Sequence, residues 1–358
     1  MGDLSFEVSP RGYAMEDNNK PFVSLCITCF NQVEYIRGAV QSALNQTYSP
    51  LEIVICDDAS TDGTDKIIQQ MVKSYTGPHR IVFKRNERNL NVIKNYEQAF
   101  KLAQGELLIT GAGDDISMPN RVAVIVGAWM AGGKKAKVIH HAWFNIDEKG
   151  RCIGWGGPRE SYCPLGACSA YSADVFRFFP SVEVDGAYED MVFCPRACML
   201  GDDFRLEERL ICYRYGGTTA SHINLYEMDV KGAQRELISQ LQMAKDIEFA
   251  RGKVDSRRLV TVEEANLRRK KEAEDRLDFL TAKSISMRAA IARDRHMPLR
   301  GWGFWGRTIF VLPRVIATPL SNMYMRWKRF KAVYVNTYRD PPKDYVVVAE
   351  LCRRCGNA

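Results

Sequence analysis

Apolar residues along the first two hundred positions follow two periods. The runs 22–28 (FVSLCIT) and 51–56 (LEIVIC) are short and β-rich, whereas between them Tyr35, Ile36, Ala39, Val40, Ala43 and Leu44 recur at the spacing of one helix face. The same alternation predicts a helix over 64–75, a strand over 81–84, a helix over 92–103 and a strand over 107–110. Strand, helix, strand, helix is the rhythm of a mostly parallel sheet, because parallel neighbours need a crossover that a helix supplies. Further on, 136–144 reads as a strand, 154–166 as an irregular loop, a helix begins near Glu189, and 210–215 closes the unit as a strand. Two long charged helices are expected over 225–251 and 261–295, the second opened by Thr261 and Glu264 as a capping box. The chain thus divides into a polar tail 1–20, an α/β domain 21–225, a charged helical pair 226–296 and a basic aromatic segment 297–358.

Charge sharpens that division. Residues 1–225 carry 23 Lys/Arg against 27 Asp/Glu, and 226–358 carry 27 against 16, so the back half suits an anionic partner. No stretch approaches the roughly 20 apolar residues that cross a bilayer, and any membrane contact is expected to be peripheral. Eleven scattered cysteines behind a polar start predict reduced thiols and a cytoplasmic protein.

The stretch from Ile109 to Arg121 (ITGAGDDISMPNR) sets two carboxylates, Asp114 and Asp115, directly after an apolar strand. Adjacent like charges resist ionising together, so a positive partner is expected, and a divalent cation is the natural one. In open sheets of this kind ligands sit beyond the carboxyl ends of the strands, where Asp57 and Asp58 also stand. Plainer roles fit the same residues: Asp114 and Asp115 would also cap the turn before Pro119, and Asp57, Asp58 and Ser60 would form an Asx turn. For Asp57 the turn is the expectation.

Taken in order, PFVSLCITCFN (21–31), QSALNQTY (41–48), EIVICDDASTDGT (52–64), the segment from Asn89 to Glu106, and Gly113-Asp-Asp115 resemble glycosyltransferase family 2 over residues 21–225. The resemblance implies an α/β GT-A fold, a Rossmann-like mostly parallel sheet flanked by helices, here with a C-terminal helical extension. It implies an inverting, metal-dependent transfer from a nucleotide-sugar donor, a UDP-sugar favoured, to a glycan or lipid-linked acceptor in cell-surface polysaccharide or glycolipid assembly. Asp115 would be the direct ligand of Mg2+ or Mn2+, with Asp114 beside the ribose or a metal-bound water. Asp58 would accept a hydrogen bond from the nucleobase, and Thr28, Phe30 and Asn31 would line its pocket. The acids after Gly186-Ala-Tyr188 resemble the family's acidic pair, with Asp190 as general base and Glu189 holding the acceptor. Both also suit a first helical turn, and the sequence leaves the two readings open. Two departures stand out: Ala112 where members often carry a further Asp, which leans the ion on Asp115 and the diphosphate, and Asn91 where glycine is common.

Other features weigh less. Cys26-x-x-Cys29 and Cys352-x-x-Cys355 together suggest zinc, but Cys26 and Cys29 on a strand point to opposite faces. His140 and His141 alternate likewise. Between Arg295 and Asp340 eight Lys/Arg and no acid interleave with Trp302, Phe304, Trp305, Phe310, Tyr324 and Trp327. That mixture suits an anionic membrane surface, or a tail packed on the acidic front of the chain. The competing class is a non-catalytic binding protein whose basic rear engages nucleic acid or membrane. No nucleic-acid-reading motif is visible, so no nucleic acid is expected, and the turn after the first strand lacks the Gly-x-Gly-x-x-Gly of a dinucleotide-dependent oxidoreductase.

Overall fold

The computed structural model describes residues 20–157, 165–214 and 225–282. The strands β1 (Val23–Cys29) and β2 (Leu51–Asp57) are buried at all seven positions, which explains their unbroken apolar runs: helices cover both faces of a parallel sheet. Helix α1 (Ile36–Leu44) joins them, burying the apolar face its spacing predicted. Helix α2 (Thr64–Ser74) leads to β3 (Arg80–Arg85), and α3 (Val92–Leu102) to β4 (Leu107–Ala112). The chain then forms β5 (Ile116–Ser117), α4 (Arg121–Ala131), β6 (Ala136–Ile146), β7 (Cys152–Gly156), a 3-10 turn at Gly166–Cys168, β8 (Ser169–Ser172), α5 (Asp174–Phe178), α6 (Asp190–Leu200) and β9 (Asp202–Arg214). Helices α7 (Leu225–Ala250) and α8 (Ser256–Thr281) complete the described residues.

The sheet runs β3-β2-β1-β4-β8-β6-β9-β5, with β7 added to β6. Its first four strands are parallel, β8 is antiparallel to β4 and β6, and β6 and β9 are parallel. Because β2 lies on one side of β1 and β4 on the other, a crevice opens beyond their carboxyl ends, where open sheets bind ligands. One core packs between the sheet, α1, α2 and α4; a second packs between the opposite face, α3, α5, α6 and the helical extension. Cys26 belongs to the second core and Cys29 to the first, so the two thiols face opposite ways as their spacing predicts. Both stay protonated, since burial raises their pKa.

Several expectations change. The closing strand begins at Asp202, eight residues earlier than expected, with the Asp202 and Asp203 side chains exposed. Residues 152–156, partly inside the expected loop, form β7 as the return arm of a hairpin with β6. Helix α8 opens at Ser256 under the Asp255 carboxylate, which accepts from the amides of Arg257 and Arg258; Thr261 lies inside the helix and donates to the Arg257 carbonyl, so it is no cap. The extension is locked on by a buried ion pair, Arg196 of α6 to Asp246 of α7, with bonds of 2.7 and 2.8 Å. Among the described residues no helix is long and apolar enough to cross a membrane. The segment 297–339, Cys352 and Cys355 lie outside the described residues.

Candidate active site

At the exit of β4 the chain turns through Gly113. A Cβ there would stand 2.4 Å from the Gln32 side-chain oxygen and 2.6 Å from Cys29 Cβ, so only glycine lets the turn press against β1. The turn presents Asp114, half-buried, and Asp115, 3% exposed. Asp115 Oδ1 accepts from the Arg214 amide at 2.8 Å, while its Oδ2 is buried with no hydrogen-bond partner. Burial and the neighbouring Asp114 push the Asp115 pKa up; burial also raises that of Asp114, against which the Gln32 amide donates. Two adjacent, desolvated carboxylates, one with an orphaned oxygen, form a place whose chemistry lacks only positive charge.

One cation beside the turn is already committed. Arg214, at the end of β9, donates to the Asp114 carbonyl at 2.9 Å and to the carbonyls of Asp147 and Glu148 at 2.7 and 3.1 Å, and its guanidinium lies 4.4 Å over the Tyr35 ring. One side chain thus ties the acid turn to the β6–β7 hairpin and the start of α1. No periodicity marks such a residue in the sequence.

On the other side of the crevice, Asp58 is 3% exposed and its Oδ1 accepts from Asn86 Nδ2 and the Leu90 amide, both at 2.9 Å. Burial raises its pKa despite those bonds. Asp57 behaves as the expected turn residue, accepting from the Ser60 amide at 3.0 Å and from the Ser60 hydroxyl. Thr28 is buried at the end of β1, and Phe30 is 40% exposed beside it. Asn31, in left-handed backbone at φ 50°, accepts from the Thr61 amide at 2.8 Å and so stitches the β1–α1 loop to the β2–α2 loop. Asn91 takes φ 68° before α3, the positive angle that glycine would have supplied.

The second acid pair opens α6. Glu189 and Asp190 are half-buried, and burial together with the Glu189 charge pushes the Asp190 pKa up to about 7. Glu189 is raised by burial as well, and its carboxylate lies over Gly166, where a Cβ would stand 2.5 Å from Oε1. The loop before the pair is held by α7: Arg235 donates to the Gly186 carbonyl at 2.9 Å and stacks 4.0 Å over Tyr188, and the Tyr188 amide donates to Ser239 Oγ at 2.9 Å. The helical extension therefore shapes the acid pair. Burial raises the pKa of the Tyr213 phenol, and Asp115, Asp114 and Glu189 add to it; burial also leads for Tyr96, with Glu189 and Asp115 adding. Residues 75 positions apart in sequence thus share one electrostatic environment.

His140 and His141 are both buried, and both are engaged inside the fold. His140 contacts Ser169 Oγ at 2.9 Å, and burial lowers its pKa to about 3. Among the described residues no cluster of three or more His, Cys, Asp or Glu could hold a metal ion. Asp114 and Asp115 offer two carboxylates, and the position before them that would add a third is Ala112.

Residues 24–151 match the family model of Glycosyl transferase family 2. EpsE of Bacillus subtilis (strain 168), named as a glycosyltransferase, is 30% identical over 133 residues, 37% of this chain and 47% of its own length. Chondroitin synthase of Escherichia coli is 31% identical over 159 residues, 44% of this chain and 22% of its own. The chain thus spans less than half the length of these two relatives. Among solved structures, the mannosyltransferase PcManGT from Pyrobaculum calidifontis, in complex with GDP-Man and Mn2+, superposes with a TM-score of 0.50 over 94% of this chain and 86% of that one at 13% identity, a likeness of fold.

Proposed function

For a chain whose residues 24–151 match the model of Glycosyl transferase family 2, we propose an inverting, metal-dependent transferase that moves a sugar from a nucleotide-diphosphate donor, a UDP-sugar favoured, to a hydroxyl of a glycan or lipid-linked acceptor in polysaccharide or glycolipid assembly. The observation that carries this reading is Asp115: one oxygen anchored on the Arg214 amide, the other buried, unpartnered and next to a second carboxylate at the switch point of the sheet. The similarity to a polysaccharide synthase, and to the fold of a transferase crystallised with a nucleotide sugar and Mn2+, supports it.

A bound Mg2+ or Mn2+ would neutralise the charge that develops on the diphosphate as it leaves. Asp115 and Asp114 are the residues that would hold it, the remaining positions falling to diphosphate oxygens and water. Asp58, fixed by Asn86 and Leu90, keeps lone pairs to accept a nucleobase N–H. Thr28, Phe30 and Asn31 line the base pocket, the exposed Phe30 ring offering a face to stack on. Asp190 takes the proton from the acceptor hydroxyl as its oxygen attacks the anomeric carbon opposite the leaving diphosphate, and a carboxylate with a pKa near 7 is matched to that task. Glu189 orients the acceptor. The basic aromatic segment 297–339 docks the enzyme on an anionic cytoplasmic membrane surface where a lipid-linked acceptor is presented.

The test is a panel of nucleotide sugars scored for metal-dependent release of nucleoside diphosphate, first to water and then to lipid-linked glycan. Release from at least one donor, lost with chelator, is expected; no release with any donor and no diphosphate binding would end the reading.

A further inference from the structure

Arg121 is wholly buried, and all four of its hydrogen bonds go to neutral acceptors: His141 Nε2 at 3.0 Å, Ser117 Oγ at 3.0 Å, and the carbonyls of Thr110 and Ala167, both 2.7 Å from one terminal nitrogen. His141 can accept because its Nδ1 faces the Ala142 carbonyl at 2.8 Å and donates there; burial and the guanidinium keep the ring neutral. Burying a guanidinium whose hydrogen bonds all go to neutral groups is costly even with the Asp115 charge acting on it, so what it joins matters. The Thr110 carbonyl lies in β4, four residues before Asp114, and the Ala167 carbonyl lies in the 3-10 turn before β8.

Thr110 makes the same junction a second time. The β4–β8 ladder stops at Ile109 and Ala170. At the next residue side-chain bonds take over: Thr110 Oγ1 lies 2.6 Å from the Gly166 carbonyl and 2.7 Å from that of Ser169, and the Ser169 amide donates to it at 3.3 Å. Gly166 is the residue across which the Glu189 carboxylate lies. The path from the donor acids to the acceptor acids is therefore Asp114–Asp115, the β4 exit, the Arg121 and Thr110 bridges, the 166–169 turn, and Glu189.

We propose that Arg121 and Thr110 are positioning residues that set the 166–169 turn, and with it Glu189 and the neighbouring Asp190, at a fixed separation from the Asp114–Asp115 turn. Neither touches donor or acceptor; they register one half of the site against the other. The inference rests on the proposed transferase reading. It predicts that loosening the bridge slows turnover while leaving the diphosphate site intact.

The experiment uses the full chain. Affinity for UDP with Mn2+ is measured by calorimetry, UDP release from UDP-sugars at saturation gives turnover, and hydrogen exchange follows the amides of residues 166–170. Thr110→Val keeps shape and burial but removes the hydroxyl; it is expected to lower turnover by between about tenfold and a hundredfold, the scale of a misplacement near 1 Å. UDP affinity should stay within about twofold of wild type, below 0.5 kcal/mol. Thr110→Ser should recover most of the rate, Arg121→Lys should lie between wild type and Arg121→Met, and exchange at 166–170 should quicken in Thr110→Val and Arg121→Met but not in Thr110→Ser. If Arg121→Met does not fold, the Thr110 pair decides alone. Wild-type turnover in Thr110→Val, a loss of UDP affinity that matches the loss of rate, or equal behaviour of Val and Ser at 110 overturns the proposal. A wild-type protein that neither binds UDP with Mn2+ nor turns over sinks the donor reading instead. The exchange data then decide the bridge, and unchanged protection in Thr110→Val refutes it.

Discussion

Replacing Asp190 by Asn keeps the shape of the side chain and removes its capacity to take a proton. In the structure burial and the adjacent Glu189 charge lift the Asp190 pKa from 3.8 to about 7, against the opposing pull of the Met191 amide, Arg269 and Arg235. A group that must be ionised to act then limits the rate below pH 7. Turnover should fall about tenfold per pH unit there, to roughly 1% of its plateau at pH 5, and level off above pH 8, as a base that titrates near 7 requires. Asp190→Asn should lose that limb and run at about a hundredth of the wild-type plateau or less, the scale of a lost general base, worth about 2.7 kcal/mol of barrier. The sign for stability runs the other way. A carboxyl whose pKa is raised by folding binds its proton more tightly in the native state, so stability falls as pH rises between about 4 and 7; Asp190→Asn should flatten that decline. The assay is steady-state release of nucleoside diphosphate from pH 5 to 9, beside denaturant titrations over the same range. A wild-type rate that is flat from pH 5 to 8, or a variant that loses donor affinity while keeping its rate at saturation, would refute Asp190 as the base.

Asp115→Asn keeps the oxygen that accepts from Arg214 but supplies a neutral group beside Asp114; turnover should drop about 10²–10³-fold and the need for Mn2+ should weaken, read as rate against metal concentration. Gly166→Ala places a methyl group 2.5 Å from the Glu189 carboxylate; because that is the movable end of a side chain, stability should change by about 1 kcal/mol, the low end of overpacking costs, while turnover falls, and chemical denaturation beside rate measurement separates the two. Arg196→Met strands Asp246 in the core between α6 and α7 and should cost about 3–5 kcal/mol, visible as a lower denaturation midpoint. Flotation of the full chain with anionic liposomes at low salt should bring it to the lipid fraction and a chain ending near His296 should remain behind; equal behaviour would count against the membrane role of 297–339.

What the sequence determined by itself is what short-range physics controls. The parallel half of the sheet was legible because strands buried on both faces read as unbroken apolar runs, and the helices between them show a single apolar face. Both acid pairs were legible as adjacent carboxylates where elements begin or end, though their roles remain proposals. The tertiary structure decided the rest. Helix α4 is buried almost all round, from Val122 to Trp129, so it shows no apolar stripe to count, and β5 and β8 are two and four residues long, too short for any period. Arg121, Arg214 and Thr110 join segments 46, 100 and 56 positions apart, and polar side chains with distant partners leave no local trace. Under the proposal above, the Arg121 and Thr110 bonds register the Asp114–Asp115 turn against the Glu189–Asp190 pair. The reason is the cost of an unsatisfied buried polar group: each must find its partner wherever the chain passes, and only the folded path says where that is.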